Sequence, residues 1–285
     1  MEDVENKMKE YNQTVTSELM PKWCSNIADN LEIARGSQTV SAIPKHPGRG
    51  AIIIGAGPSL KDDDIRKLQN YTGTIICCNK SFERLMKLGV TPNWVTLLDA
   101  DAISAPQFRF LDFPEDEHWL DDTKFFVSTQ VYPGTLKTIE RHAKCGNLYM
   151  VNPVADPANL PFANEIWGWM NGCEPFEHGG NVGGFSLNLA MTMMFSKIGL
   201  LGFDLTEEPD RKWTFKESME REIFWYPDTG EYVHVPLNFM YYAQWMFQKA
   251  MMYEAGIVVN LSESPLMRHA RLAQRYLEEF IVEGQ

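Results

Sequence analysis

The amino-acid sequence predicts an α/β protein: a Rossmann-like, mostly parallel sheet flanked by helices, with an N-terminal helical extension. Three observations predict this class. Short apolar segments alternate with stretches of helical spacing, which is typical of successive βαβ units. A glycine-rich turn follows the first apolar segment, where such sheets need a sharp strand-to-helix connection. Apolar residues recur every four positions within the first 35 residues, which indicates an amphipathic helix.

The extension is predicted to comprise residues 1–49, a helix and a linker, ahead of one Rossmann-like domain over residues 50–285. The apolar face of the helix is formed by Val15, Leu19, Trp23, Ile27 and Leu31. Pro21 is expected either to kink this helix or to start a second one, because proline fits only the first turn without cost. Residues 36–49 contain glycine and several prolines and therefore indicate a linker.

The elements of the main domain follow from apolar runs and helical spacing. The predicted strands are residues 51–54, 74–78, 94–98, 125–128, 148–151, 198–202 and 257–260. The predicted helices are residues 62–70, 82–88, 185–195 and 241–253. Strands and helices in this order favour a doubly wound sheet with helices on its faces.

Composition limits the functional classes. The 285 residues include 26 Lys and Arg against 38 Asp and Glu, a formal net charge of -12, which argues against binding to nucleic acid or an anionic membrane. The five cysteines are odd in number and lack a C-x-x-C pair, so neither a disulfide framework nor a cysteine zinc site is expected. Without a signal-peptide pattern or a membrane span, we expect a cytoplasmic protein. The oligomeric state is left open.

The glycine-rich turn is the first candidate binding element. Residues 51–60 have the sequence AIIIGAGPSL. Gly55 and Gly57 allow the backbone to turn sharply and to approach a ligand, and amides at a helix start can hold an anion. Gly55, Gly57, Pro58 and Ser59 are therefore predicted to form part of a nucleotide-phosphate site. The alternative is a tight turn with no ligand.

Polar residues at strand ends extend this candidate site. Leu60 replaces the third glycine of the usual dinucleotide fingerprint, and Asn79 replaces its acidic residue, which argues against binding of an NAD ribose. Asn79 follows the second predicted strand and is predicted to contact a nucleoside. Asp99, Asp101 and Asp204 follow predicted strands, and carboxylates at such positions suit Mg²⁺ bound to phosphate oxygens. Asp99 is also a candidate catalytic residue. The alternative for each carboxylate is helix capping or solvation of a loop.

A second glycine-rich stretch precedes the helix at 185–195. Gly183, Gly184 and Ser186 are predicted to approach the nucleotide, and a flexible loop is the alternative. His234 is a candidate catalytic acid or base, because histidine titrates near neutral pH. A single histidine in an ordinary loop without a catalytic role is the alternative.

Four motifs occur in the order Gly55–Leu60, Thr91–Asp99, Gly183–Ser186 and Gly202–Leu205. Together they resemble the 6-hydroxymethylpterin diphosphokinase MptE-like family, which includes bacterial motility accessory factors. The resemblance covers roughly residues 20–265, and the helix around residues 23–27 is similar to the motility-factor branch. It implies transfer of diphosphate from ATP to an alcohol such as 6-hydroxymethylpterin, with Mg²⁺ neutralising the phosphates.

The same residues also resemble bacterial sialyltransferases that use CMP-sialic acid. That resemblance rests on the Gly-x-Gly-Pro-Ser-Leu turn, Asn79, the Gly183–Gly184 turn, Gly202–Asp204 and the closing segment 260–266. It implies transfer of a CMP-activated nonulosonic acid, with His234 as the base for an acceptor hydroxyl.

Three functions therefore stay open: an ATP-dependent diphosphotransferase, a CMP-sugar glycosyltransferase, and a nucleotide-binding module without chemistry. The expected partners are a nucleotide and a small-molecule or glycan acceptor.

Overall fold

A computed structural model describes residues 18–112, 120–144, 146–154, 172–205, 221–226, 231–262 and 272–283. The helices are α1 (18–29), α2 (Leu31–Gly36), α3 (Asp62–Lys67), α4 (Asn79–Lys87), α5 (Pro133–His142), α6 (Val182–Thr192), α7 (Leu237–Met251) and α8 (Leu277–Glu283). The strands are β1 (Gly50–Ile54), β2 (Thr74–Cys78), β3 (Trp94–Leu97), β4 (Lys124–Ser128), β5 (Leu148–Val154), β6 (Glu174–Glu177), β7 (Lys197–Leu201), β8 (Arg221–Tyr226), β9 (Glu231–Pro236), β10 (Ile257–Asn260) and β11 (Ala273–Gln274). Short 3-10 segments lie at Val40–Ala42, Leu68–Asn70 and Ala102–Asp112.

Nine of the described strands form one parallel sheet in the order β11-β10-β7-β1-β2-β3-β4-β5-β6. Strands β8 and β9 form a separate antiparallel hairpin. The predicted fold class, a mostly parallel Rossmann-like sheet flanked by helices, is confirmed.

The order of the strands reverses at β1. The chain passes outward from β1 through β2 to β6, and β7 then returns to the opposite side of β1. Ile54 at the end of β1 consequently pairs with Cys77 on one side and with Leu201 on the other. A reversal of this kind leaves a crevice outside the carboxyl ends of the strands, and open α/β sheets bind ligands there.

The centre of the sheet is apolar on both faces. Ile52 and Ile54 of β1 pack into one hydrophobic cluster, and Ala51 and Ile53 pack into the opposite one. Helices α3, α4, α5 and α8 cover the first face, and α6 and α7 cover the second. All four β1 side chains are fully buried, and each isoleucine contributes about 1.5–3 kcal/mol through burial. This explains why β1 has an apolar run rather than an alternating pattern.

Helix α1 packs on the carboxyl edge of the sheet. Residues 18–29 are helical on both sides of Pro21. Ile27 on the predicted apolar face is buried, and Trp23 is half-buried. Asn26 on this helix and Asn30 directly after it are also buried, at 7% and 1% exposed. The buried face is therefore partly polar, which the apolar spacing alone did not predict.

Several elements were not predicted from the sequence. They are α5, α8, β6, β11 and the β8–β9 hairpin. Strands β6 and β11 lie at the two edges of the sheet and have the sequences EPFE and AQ, so neither has an apolar run. In the parts of the chain that the structure describes, no helix combines the length and the apolar character needed to cross a bilayer.

Candidate functional site

The turn after β1 lies directly against the end of β7. The Gly55 amide donates to the Leu201 carbonyl over 2.8 Å, and the Gly57 amide donates to the Gly202 carbonyl over 2.8 Å. A Cβ atom at Gly55 would overlap the Gly202 carbonyl oxygen, and one at Gly57 would overlap the Asp204 carboxylate. Glycine is thus required here by the close approach of two segments of the same chain.

The Asp204 carboxylate of the same chain contacts this turn. Its Oδ2 accepts a hydrogen bond from the Ser59 amide over 2.8 Å, and the residue is only 4% exposed. An amide of the turn that was predicted to face a phosphate is therefore engaged by a carboxylate. Pro58 is exposed beside it, and the Ser59 hydroxyl is buried without a hydrogen-bond partner among the described residues.

Asn79 lies at the carboxyl end of β2, next to the same turn. It begins α4, is 5% exposed, and donates from Nδ2 to Gln107 Oε1 over 2.6 Å. Two residues later, the Ser81 hydroxyl donates to the Gly55 carbonyl, which ties the start of α4 to the turn. The structure therefore brings Asn79 and the turn after β1 together.

Asp99 and Asp101 follow β3, further along the same edge. Neighbouring strands lie about 4.8 Å apart, so the end of β3 is about 10 Å from the end of β1. Asp99 is half-buried, and burial raises the pKa of its carboxyl group, although a hydrogen bond from the Asp101 amide opposes this. Asp101 is exposed and pairs with Lys22 over 2.8 Å, which lowers the pKa of Asp101.

The second glycine-rich stretch forms the start of α6. Asn181 caps this helix by accepting from the Gly184 amide over 2.8 Å. A Cβ atom at Gly184 would press on the His178 carbonyl, and one at Gly183 would press on the ring of Phe203, next to Asp204. The start of α6 therefore lies beside the end of β7, at the edge that also holds the turn after β1.

Ser186 lies inside the interface between α6 and the sheet. It is fully buried, and its hydroxyl bonds with Thr96 Oγ1 over 2.7 Å and with the Val182 carbonyl over 2.8 Å. These contacts place it among groups that hold α6 to the sheet. Gly183 and Gly184 are buried as well.

The candidate histidine His234 and a second histidine, His178, lie on different elements. His234 lies in β9, and its side chain is outside the described part of the structure. His178 at the start of the glycine-rich stretch was not singled out from the sequence. Its Nδ1 accepts from the Gly180 amide over 3.0 Å, and burial lowers its pKa to about 4, so the ring is neutral at pH 7. In the sequence, the feature that could have identified His178 is its position directly before the glycines of this stretch.

The three predicted metal ligands are not gathered at one point. Asp204 bonds to the turn after β1, whereas Asp101 pairs with Lys22 of α1. No group of three His, Cys, Asp or Glu side chains with metal-binding geometry occurs among the described residues. Of the three predicted ligands, Asp99 and Asp101 lie on one loop, the loop after β3.

Comparison with known proteins adds three findings. No curated protein matches the chain. The structure of the MAf glycosyltransferase from Magnetospirillum magneticum AMB-1 is similar in fold, with a TM-score of 0.56 and 15% sequence identity; the likeness covers 91% of this chain and 42% of that one. The family described as 6-hydroxymethylpterin diphosphokinase MptE-like matches residues 22–210. Because this match covers well over half of the sequence, the chain belongs to the MptE-like family.

Proposed function

We propose that the protein is a nucleotide-dependent transferase whose donor binds outside the carboxyl ends of β7, β1, β2 and β3. The observation that carries the proposal is the reversal of strand order at β1, which opens a crevice between β1 and β7. Gly57, Asn79 and Asp204 follow strands that end at this crevice. Membership of the MptE-like family and a fold like that of a glycosyltransferase both support a transferase.

The phosphates of the donor are proposed to lie nearer to the start of α6 than to the turn after β1. Asp204 already places a negative charge on that turn, and a phosphate beside it would be repelled. Helix α6 has 11 residues, and its dipole directs a partial positive charge toward Gly183 and Gly184. The nucleoside would then contact the turn at Gly55, Gly57, Pro58 and Ser59, together with Asn79.

Asp99 is proposed as the base that accepts the proton of an acceptor hydroxyl. It is half-buried at the end of β3, and burial raises the pKa of its carboxyl group. A carboxylate with a raised pKa is a stronger base, and general bases work best when their pKa approaches the working pH. The Asp101 amide bonds to Asp99 Oδ1 and thereby orients the carboxylate.

The first candidate reaction is diphosphate transfer from ATP to an alcohol such as 6-hydroxymethylpterin, which the description of the family supports. Mg²⁺ commonly binds to one or two carboxylates and to phosphate oxygens of the substrate. Asp99 and Asp101 on one loop would hold the ion in this reaction, and Asp99 would then be a ligand rather than the base; Asp204 is bonded to the Ser59 amide. Bound Mg²⁺ would neutralise the charge of the transferred diphosphate.

The second candidate is glycosyl transfer from a CMP-activated nonulosonic acid. A specific observation favours it: the buried Asp204 carboxylate makes the crevice acidic, and a donor with a single phosphate suffers less repulsion there than a triphosphate. The similar fold of the MAf glycosyltransferase also supports it. His234 stays the proposed base for this reaction, with Asp99 as the other candidate.

Thermal-shift titrations with CMP, CDP, ATP and GTP, each with and without Mg²⁺, test the proposal. A shift with ATP that requires Mg²⁺ supports diphosphate transfer, and a shift with CMP that does not require Mg²⁺ supports glycosyl transfer. A shift without turnover of either donor indicates a binding module. The absence of a shift with all four nucleotides would contradict the proposed function.

A further inference from the structure

Helix α1 presents a row of polar side chains to the carboxyl edge of the sheet. Lys22, Asn26 and Asn30 are spaced four residues apart, which places them on one side of the helix. All three contact loops that follow β3 or β4. The row is unusual because two of its members are buried amides on a helix face that is otherwise apolar.

Asn26 joins two loops. Its Nδ2 donates to the carbonyl of Ala100, after β3, over 2.9 Å and to the carbonyl of Gln130, after β4, over 2.8 Å. Both protons of the amide group are thus used, one on each loop. Lys22 adds an exposed contact to Asp101 on the β3 loop.

Asn30 makes the same type of contact with only one loop. Its Nδ2 donates to the carbonyls of Thr129 and Val131, over 3.0 and 2.8 Å, and both residues follow β4. The two asparagines therefore match in residue type, burial and number of bonds, and Asn30 lies one residue beyond the end of α1. They differ in that Asn26 alone reaches the residue next to Asp99.

Two longer hydrogen bonds of the β3 loop involve Asp99 itself. The Tyr132 amide donates to the Asp99 carbonyl over a long 3.4 Å, and the Asp101 amide donates to Asp99 Oδ1 over 3.3 Å. The Asn26 bond to Ala100 is shorter than either. It is the described contact that connects this loop, through a buried group, to both α1 and the β4 loop.

We propose that Asn26 is a positioning residue, which holds the β3 loop against the β4 loop and so sets the place of Asp99 at the crevice. The expected loss of activity without Asn26 rests on the proposed function. The expected loosening of the β3 loop does not depend on it. Helix α1 then forms a wall of the site.

Amide hydrogen exchange of the full chain tests the positioning independently of activity. In Asn26→Ala we expect the Asp101 and Ser104 amides to exchange about tenfold faster, because the loop opens more often once a buried tether is lost. In the matched variant Asn30→Ala those two amides should exchange at the wild-type rate. Equal rates in both variants would overturn the proposal.

Steady-state kinetics with the donor that binds then tests the consequence for Asp99. Asn26→Ala should lower kcat roughly 10- to 100-fold with little change in the KM of the donor, because a misplaced base affects the chemical step. Asn30→Ala should retain most of the wild-type kcat. Inactivity of the wild-type protein would contradict the proposed function alone, since the exchange result does not depend on turnover.

Asn26→Leu serves if Asn26→Ala proves too unstable to study. Leucine has nearly the same size as asparagine but no hydrogen-bond donor, so it fills the space while both bonds to the loops are lost. We expect the same faster exchange at Asp101 and Ser104 as in Asn26→Ala. Wild-type exchange rates at both amides in Asn26→Leu would overturn the proposal.

Discussion

At the scale of single residues, Asp204 determines the chemistry of the turn after β1. Asp204→Ala should lower the free energy of unfolding by about 1–3 kcal/mol, because the part-buried Ser59 amide would lose its acceptor. Asp204→Asn should cost less, since the amide oxygen of asparagine can still accept this bond. Urea denaturation of both variants measures the difference. Equal losses would show that the charge, and not the hydrogen bond, holds the turn.

Gly57 is required by the Asp204 carboxylate, which leaves no room for a side chain. Gly57→Ala should destabilise the protein by about 1–3 kcal/mol, because the added methyl group overlaps the Asp204 side chain. Gly36→Ala is the matched control, because nothing lies within 4 Å of a Cβ atom there. Thermal unfolding compares the two. A wild-type melting temperature for Gly57→Ala would mean that the turn adapts freely.

Asp99 is the residue on which the proposed chemistry depends most. Asp99→Asn should lower kcat by about 10²–10⁴-fold, the range expected for loss of a general base. Nucleotide affinity in the absence of Mg²⁺ should change little, because Asp99 is assigned to the acceptor side. Asp63→Asn, a highly exposed carboxylate on α3, is the control. Full activity of Asp99→Asn would remove Asp99 from the mechanism.

Residue type and position after a strand were sufficient to select Gly55, Gly57, Asn79 and Asp204 from the sequence. Their mutual contacts were not predictable, because Ser59 and Asp204 meet only after β7 is placed beside β1. Asn26 was missed for another reason. A polar residue next to an apolar helical stripe is normally solvated, and its burial here depends on carbonyl groups of distant loops.

At the scale of elements, the cap of α6 controls the start of the proposed phosphate site. Asn181→Ala should cost about 1 kcal/mol of stability, because the Gly184 amide would lose its capping oxygen. Asn181→Asp should keep the cap and interact favourably with the helix dipole. Thermal unfolding distinguishes them. If the proposed site is correct, Asn181→Asp should also weaken nucleotide binding through its added negative charge; tighter binding would count against it.

The seven predicted strands are all present because each is an apolar run that is buried in a parallel sheet. Edge strands such as β6 escaped prediction, since a strand with one free edge and polar neighbours needs no such run. Helix α4 begins at Asn79, three residues earlier than expected. Its first turn is polar, and apolar periodicity does not mark such a turn.

At the scale of the whole molecule, His178 should make stability depend on pH. Its pKa in the folded protein is about 4, below the ordinary value of 6.5. Between these values the unfolded chain binds a proton that the folded chain does not, so the free energy of unfolding should fall as the pH decreases from 6.5 toward 4. The loss should be on the order of 2 kcal/mol.

Urea denaturation between pH 7 and pH 4 measures this dependence. His178→Asn is the comparison, because the asparagine oxygen can replace Nδ1 as the acceptor of the Gly180 amide without titrating. The variant should show a flatter profile in this range. A profile as steep as that of the wild-type protein would assign the dependence to other groups.

The pairing of β1 with β7 has a consequence for biosynthesis. Gly50 pairs with Lys197, about 150 residues later, so the two walls of the crevice come from opposite ends of the family-matched segment. When a ribosome has released only β1 to β6, the nascent chain holds one side of the proposed site, and the Ser59 amide still lacks its carboxylate. Contacts this distant in sequence form late in folding. If the proposed site is correct, a nucleotide binds only to molecules in which β7 has already emerged and paired with β1.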